Sequence, residues 1–449
     1  STQSYIVWPS YSRLVQTVSI HTPTLHMMSG PQERDIGIVV VEPVDRQEPD
    51  RNSVTGKRGL SRTAVVALCV GGAVVLLGAG ALIYYLFFQP EYDIVPCEDV
   101  NLSYPYTMVD TEQRLCYDED GVEITAPSES DEYYGQDAQY TGVGASYHDN
   151  LDGTVTDMST GLMWEQSPPS DTVSFDGAAD YCTDLDLGGY DDWRVPSLKA
   201  LFSISLFETG WPFIDEDYFT LVDVREEKSQ QYWSDQFYNA GTTHGGQDSA
   251  FGVNHGTGHI KAYPDGSDGG DIAWKYCRCV RGNGDYGVND FTLDPSASTV
   301  SDASTNIMWT STDSGATGLD WSDALSHCSS LSHGGYDDWR LPNVKELHSI
   351  VDYSGVYPAI DTSLFEVSDP TALCLYYWTS TSAYMSPTDT VMYYAWYVAF
   401  GYAVDDNGDD THGAGAVRFD TKYAGGPSAE EEENVYNYVR CCRDMDTTV

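Results

Sequence analysis

The sequence predicts an α+β protein in which two tandem, disulfide-stapled domains follow one transmembrane helix. Three observations predict it: a charge-free apolar run of 26 residues at 63–88, one pattern of strands and helices that occurs twice beyond residue 140, and nine cysteines outside the apolar run. A chain of 449 residues is long enough for two or three domains, each with its own core. Richness in Gly, Ser, Thr, Asp and Tyr, with little Lys, suits loop-rich exterior proteins.

Residues 1–62 carry scattered charge and Pro and no sustained periodicity beyond a short apolar run at 36–41, the pattern of a flexible cytoplasmic tail. The run from Thr63 to Phe88 is long enough to cross a bilayer. Lys57, Arg58 and Arg62 precede it and Glu91, Asp93, Glu98 and Asp99 follow. This polarity leaves the N-terminus in the cytoplasm and the rest outside, in a single-pass protein of the cell membrane. A cleaved signal peptide is the competing reading, opposed by a 62-residue leader and the lack of an A-x-A site. Residues 89–140 read as a linker or stalk. Residues 1–90 hold seven Lys/Arg against six Asp/Glu, which leaves 15 against 63 for the remainder. So acidic an exterior repels nucleic acid and attracts cations, which excludes phosphate-backbone binding as a function.

The first repeat, residues 141–283, and the second, 284–449, run in parallel. Gly153 to Trp164 matches Ser298 to Trp309, and both read as strand, turn, strand. Ser174 to Leu185 matches Asp320 to Leu331. Trp321, Ala324, Leu325, Cys328 and Leu331 fall on one helical face, with Asp320 or Ser174 as N-cap, so the cysteine faces the core. Gly188-Gly-Tyr-Asp-Asp-Trp-Arg-Val-Pro196 matches Gly334-Gly-Tyr-Asp-Asp-Trp-Arg-Leu-Pro342, the most specific motif in the chain. The glycine pair permits a tight turn, Pro precedes a second helix, and Asn343 with Glu346 has capping-box spacing. The acidic residues and Arg194 or Arg340 invite an acid–base reading, against which stands a structural one: a buried Trp193 or Trp339 beside an arginine paired to carboxylates holds the turn. Tyr232 to Asp235 matches Tyr377 to Ser380, and Ala250-Phe-Gly252 matches Ala399-Phe-Gly401, as paired core strands. Each repeat closes with Tyr-x-Arg-Cys-x-Arg, at Tyr276 to Arg281 and Tyr438 to Arg443.

Ten cysteines imply an oxidising exterior. The repeat pairs Cys182 with Cys279 and Cys328 with Cys441. Short separation pairs Cys97 with Cys116, and Cys374 is paired with Cys442, which leaves Cys277 free or bridging to another chain.

The D-x-x-T-G-L-M-W run that ends at Trp164 and its counterpart at Trp309, the cysteine-bearing helix, G-G-Y-D-D-W-R-V/L-P and the closing R-C-x-R together resemble the Lcl C-terminal-like family. These are secreted bacterial domains, found for example at the end of a collagen-like adhesin. The resemblance covers 141–283 and 284–449; the second repeat departs from it with Asn306 at the turn glycine and a Cys441-Cys442 doublet. It implies tandem domains similar to the C-type-lectin-like and formylglycine-generating-enzyme folds, used for attachment to surfaces, with sulfated glycosaminoglycans among the adhesin's ligands. An exterior of this acidity would meet such a polyanion through bridging cations.

No G-x-S-x-G, H-E-x-x-H, P-loop or dinucleotide fingerprint is present, so no enzymatic activity is expected. Two stretches are candidates for calcium as a cofactor: Asp405, Asp406, Asn407, Asp409 and Asp410, and the run 265–271. Neither has the terminal Glu of the twelve-residue calcium loop, and solvated acidic loops are the competing reading. His255 and His259 flank a Gly-rich segment as candidate ligands. The leading expectation is a surface protein whose lectin-like domains bind a glycan or protein partner. A structural subunit that assembles with copies of itself into a filament or coat is the second, and a formylglycine-generating-type enzyme the third.

Overall fold

The computed structural model describes residues 94–445 apart from 209, 223–228, 243–246, 267–272, 316, 356, 385, 387, 390, 406 and 428–433. Before residue 94 it describes four short backbone strands: β1 (Thr2–Val7) with β2 (Gln16–His21), and β3 (Ile36–Val39) with β4 (Ala67–Val70). The expected tail and membrane helix lie outside the described residues, apart from these strands. Among the described residues no helix is long and apolar enough to cross a membrane.

Residues 93–449 form one compact unit, α+β and mostly sheet. A strap runs through β5 (Cys116–Tyr117) and β6 (Glu123–Ile124) before the first repeat begins. Copy 1 then builds a sheet in the order β13 (Val280–Gly282), β9 (Leu162–Glu165), β8 (Thr154–Asp157), β7 (Tyr147–Asp149). Copy 2 builds its equivalent from β14 (Phe291–Asp294), β15 (Thr299–Asp302), β16 (Ile307–Thr310) and β20 (Cys442–Asp444). The central hairpins turn through Gly161 at φ 69° and Asn306 at φ 61°, so asparagine takes the left-handed position that glycine holds in copy 1.

Two short helices follow in each copy: α1 (Phe175–Thr183) and α2 (Leu198–Ser203), then α3 (Trp321–Ser329) and α4 (Val344–Ser349). Their caps are those the sequence predicts. Ser174 accepts from the Gly177 amide and Asp320 from the Asp323 amide, and Asn343 and Glu346 close a capping box. Between the helices sits the glycine pair. A Cβ on Gly188 or Gly334 would stand 2.8 Å from Cγ2 of Thr154 or Thr299, so close packing as well as positive φ requires glycine.

The longest strands of the two copies share one sheet. Its order is β10 (Gln231–Thr242), β11 (Gln247–Asn254), β12 (Ile260–Pro264), β19 (Val417–Thr421), β18 (Tyr394–Ala399), β17 (Tyr376–Ala383). The junction is the antiparallel pair Ile260 and Val417. Register makes these two residues equivalent: Tyr232 faces Val253 and Val253 faces Ile260, as Tyr377 faces Val398 and Val398 faces Val417. Equivalent residues face each other only at a two-fold axis, so the repeats meet as an isologous dimer would, within one chain. The same register corrects the match of Ala250-Phe-Gly252 to Ala399-Phe-Gly401. Strand pairing aligns Ala250 with Ala395 and Phe251 with Trp396, and Phe400 lies past the end of β18.

The core follows this symmetry. Trp193, Trp233, Cys182 and Cys279 gather in an outer cluster in copy 1, and Trp339, Trp378, Cys328 and Cys441 in copy 2. A central cluster joins the copies, where Phe207 and Phe213 of copy 1 meet Trp396 of copy 2 edge-on at 5.3 and 5.6 Å.

Disulfides Cys182–Cys279 and Cys328–Cys441 tie each helix to its closing strand. The pairs Cys97–Cys116 and Cys374–Cys442 do not form. The strap separates the first pair. Cys97 Sγ lies 3.0 Å from Arg281 Nη1 of copy 1, whereas Cys116 packs near Lys422 of copy 2. In the second pair, Cys442 alternates with Cys441 along the strand and faces Arg340 at 3.2 Å instead. The strap also binds both copies. Thr111 accepts from the Phe207 amide, and Gln113 exchanges two hydrogen bonds with the Ser382 backbone.

Candidate functional site

The closing motif builds the same scaffold twice. Arg278 is fully buried and donates to the carbonyls of Glu165, Gln166 and Thr220. Arg440 donates to the carbonyls of Thr310, Ser311 and Glu366, the equivalent positions. Each guanidinium also lies over two rings, Phe219 and Tyr232 or Phe365 and Tyr377. The last arginine of each motif reaches back to the glycine-rich turn: Arg281 pairs with Asp192 and Arg443 with Asp338, each at 2.6 Å. Trp193 Nε1 donates to the carbonyls of Leu187 and Tyr190, and Trp339 Nε1 to that of His333. The second aspartate and the tryptophan of G-G-Y-D-D-W-R are thus occupied in holding the turn. Trp164 and Trp309 are buried in the shared core.

The arginine that follows the tryptophan differs between copies. In copy 2, Arg340 is 6% exposed, with Glu346 at 2.6 Å and Asp444 at 2.7 Å. The strap lies over it, with the Tyr140 ring centroid 5.1 Å away, and a cavity of about 150 Å³ adjoins it. In copy 1, Ala200 stands where Glu346 would be and Gly282 where Asp444 would be. Arg194 donates to the Asn283 carbonyl at 3.3 Å and, among the described residues, has no carboxylate within 4.0 Å, although Asp235 acts on it at longer range. Partial burial lowers its pKa from the ordinary arginine value.

Arg194 lines an open groove of about 630 Å³. Lys199 of α2 stands beside it, its ammonium donating to Asn289 Oδ1 at 2.8 Å and lowered to about 8 by burial, against the pull of Asp302 and Asp352. The opposite wall comes from copy 2 and carries Asp352, Asp361 and the Tyr353 ring, with Tyr286 from the connection between copies. Tyr353 is fixed by its hydroxyl, which donates to the Gly415 carbonyl at 2.7 Å. The groove therefore offers two cations, three carboxylates counting Asp235, and the partly exposed Tyr353 ring in one place, a set suited to a polar ligand with a flat apolar side. Sequence comparison of the repeats held the signal for it: Ala200 against Glu346, and Asp235 against Ser380.

The other candidates are placed apart. Asp405 Oδ1 accepts from the amides of Asn407 and Asp409. Asp410 is buried and accepts from the Tyr238 hydroxyl and the Gly413 amide, while Asp406 and 267–272 lie outside the described residues. His255 is buried beside Ser205 and Tyr232, and His259 between Trp396 and Phe419. Among the described residues, three candidate ligand atoms converge at Cys182, Cys277 and Cys279, but the Cys182–Cys279 disulfide occupies two of them.

The model of the Lcl C-terminal domain matches residues 153–281 and 298–419. No curated protein and no solved structure matches the chain. The two matches cover more than half of the chain and fall on its two structural copies, the second ending at Phe419 in β19. The chain belongs to the Lcl C-terminal domain family and carries two of its domains in tandem.

Proposed function

We propose that this protein is a non-catalytic, surface-associated binding protein whose lectin-like copy 1 groove seats a glycan or the polar face of a protein. The observation that carries the reading is the contrast around one motif arginine. Arg340 is closed off by Glu346, Asp444 and the strap, whereas Arg194 stands with Lys199 in an open groove. Family membership points the same way, to a surface-associated protein. The partly exposed Tyr353 ring offers an apolar face for a sugar, and the charged rim offers partners for carboxylate, ammonium and hydroxyl groups. A non-catalytic role fits groups already in structural use: Ser197 caps α2, and Asp352 and Asp361 accept from nearby loop amides. The apolar run at 63–88 would anchor the acidic part outside the membrane, and calcium at 405–410 would bridge it to anionic ligands.

Glycan arrays probed with the purified chain, in calcium and then in chelator, test this beside the double variant Arg194→Ala, Lys199→Ala. Binding that falls at least tenfold in the double variant supports the groove; undiminished binding rejects it. Light scattering on the same samples addresses the alternative, because polymers formed without ligand would favour a filament or coat.

A further inference from the structure

Copy 1 holds a sulfur that copy 2 lacks. Cys277 and Cys279 stand two residues apart on the approach to β13, so both side chains turn toward Cys182 on α1. Cys182 is bonded to Cys279, yet Cys277 Sγ lies 3.4 Å from the same Cys182 sulfur. All three sulfurs are buried and within 4.8 Å of one another. The equivalent of Cys277 in copy 2 is Val439, so the Cys328–Cys441 bond has no third sulfur at that place.

We infer that Cys277 is an exchange partner for Cys182, so that the staple of copy 1 has two isomers, Cys182–Cys279 and Cys182–Cys277. The Cys277 thiol loses its proton and the thiolate attacks Cys182 Sγ. The Cys182–Cys279 bond breaks, and Cys279 leaves as a thiolate and takes up a proton. One disulfide and one thiol stand on each side, so no oxidant or reductant is consumed. Loop entropy does not choose between the isomers, because they close loops of 97 and 95 residues. What restrains exchange in the closed protein is burial, which pushes the Cys277 thiol far up, with Glu165 adding to the effect and Arg278 opposing it. Exchange therefore accompanies opening of the closing strand or alkaline pH. It moves the covalent tie two residues along that strand and leaves Cys279 as the free thiol.

Copy 2 supplies the control. Full-length Cys279→Ser and Cys441→Ser, each folded in a glutathione buffer, are denatured with N-ethylmaleimide and their thiols counted. Cys279→Ser is expected to show one thiol fewer than the parent, because Cys277 takes over Cys182. Cys441→Ser is expected to show one more, because Cys328 is stranded. A gain of one thiol in both overturns the inference. Should Cys279→Ser fail to fold, the parent protein decides. It is held at about pH 9, trapped in denaturant with N-ethylmaleimide and cut with trypsin, which cleaves after Arg278 and so separates the two cysteines. A cross-link from the Cys182 peptide to Tyr276–Arg278 is the expected product. If the whole cross-link runs to Cys279–Arg281, the inference fails.

Discussion

The two copies share a skeleton, and they differ most sharply around the motif arginine. Arg278 and Arg440 have the same partners, down to the equivalent carbonyls and rings, whereas Arg194 and Arg340 occupy equivalent positions with opposite surroundings. A buried cation that serves folding keeps its partners through duplication, because losing any of them strands charge or carbonyls away from water. An arginine whose partners differ between copies is released from that constraint in one of them. The scaffold arginines are alike in both copies, and the contrast lies at the groove, where the proposed function places binding.

The largest expected effect tests the shared part. Arg278→Met and Arg440→Met should each cost about 3–5 kcal/mol, since each leaves three buried carbonyls without a charged donor. Urea unfolding followed by tryptophan fluorescence measures both. The copies share a central core and one sheet, so a single transition should report either change. Costs that differ by more than about 2 kcal/mol would break the claim that the two scaffolds are equivalent.

Next in size is Arg340→Ala. It leaves Glu346, also nearly buried, without its cation, and about 3 kcal/mol is expected from an uncompensated buried carboxylate, partly relieved by protonation. A loss below about 1 kcal/mol would mean that the pair is not what closes copy 2.

How much of this was legible beforehand follows from the range of each signal. Local and repeated patterns could be read directly: the caps at Ser174, Asp320 and Asn343, the glycine turn, the tryptophans, and two disulfides fixed by their recurrence. Pairings without a repeat behind them failed, because Cys97 and Cys116 are near in sequence but the strap carries them to different copies. The shared sheet was not legible either. Its junction is the single pair Ile260 and Val417, and hydrophobic strand edges look alike whether they meet a neighbour or end a sheet. The groove was hidden for a related reason: Ala200 and Gly282 carry no chemistry, and their meaning lies in the Glu346 and Asp444 that replace them.

A pH slope sharpens the comparison further, because the strap buttresses the copies differently. Asp137 is buried between strap and copy 2, where its Oδ2 accepts from the Thr111 hydroxyl at 2.8 Å and the Thr381 hydroxyl at 2.6 Å. Copy 1 has Gln236 at the equivalent of Thr381, and it donates to the Tyr353 carbonyl instead. Burial raises Asp137 to about 7, with Asp110 and Glu346 adding to the rise and the two hydroxyls opposing it. The folded state then holds a proton that the unfolded state has released, so this group's contribution favours folding below about pH 4 and is lost as pH rises to about 7. Asp137→Asn should therefore gain stability relative to the parent between those limits, by at most about 1.4 kcal/mol per pH unit. A difference that stays flat from pH 4 to 8, read by urea unfolding, would remove Asp137 as the titrating group.

The smallest effect is the most specific. Arg194→Ala should change stability by less than about 1 kcal/mol, because no carboxylate among the described residues is left behind within ion-pair distance and one carbonyl contact of 3.3 Å is lost. The test is sharpest beside Arg340→Ala, the same substitution at the equivalent position. If the two cost the same, the motif arginine is a scaffold element in both copies and the open groove has no special standing. If Arg194→Ala melts with the parent while ligand capture falls, the residue is held half-buried for what it meets rather than for what it supports. Adding Ala200→Glu to the parent would then recreate the copy 2 arrangement and close the groove with the same pair that seals Arg340, and capture should fall again with Arg194 still in place.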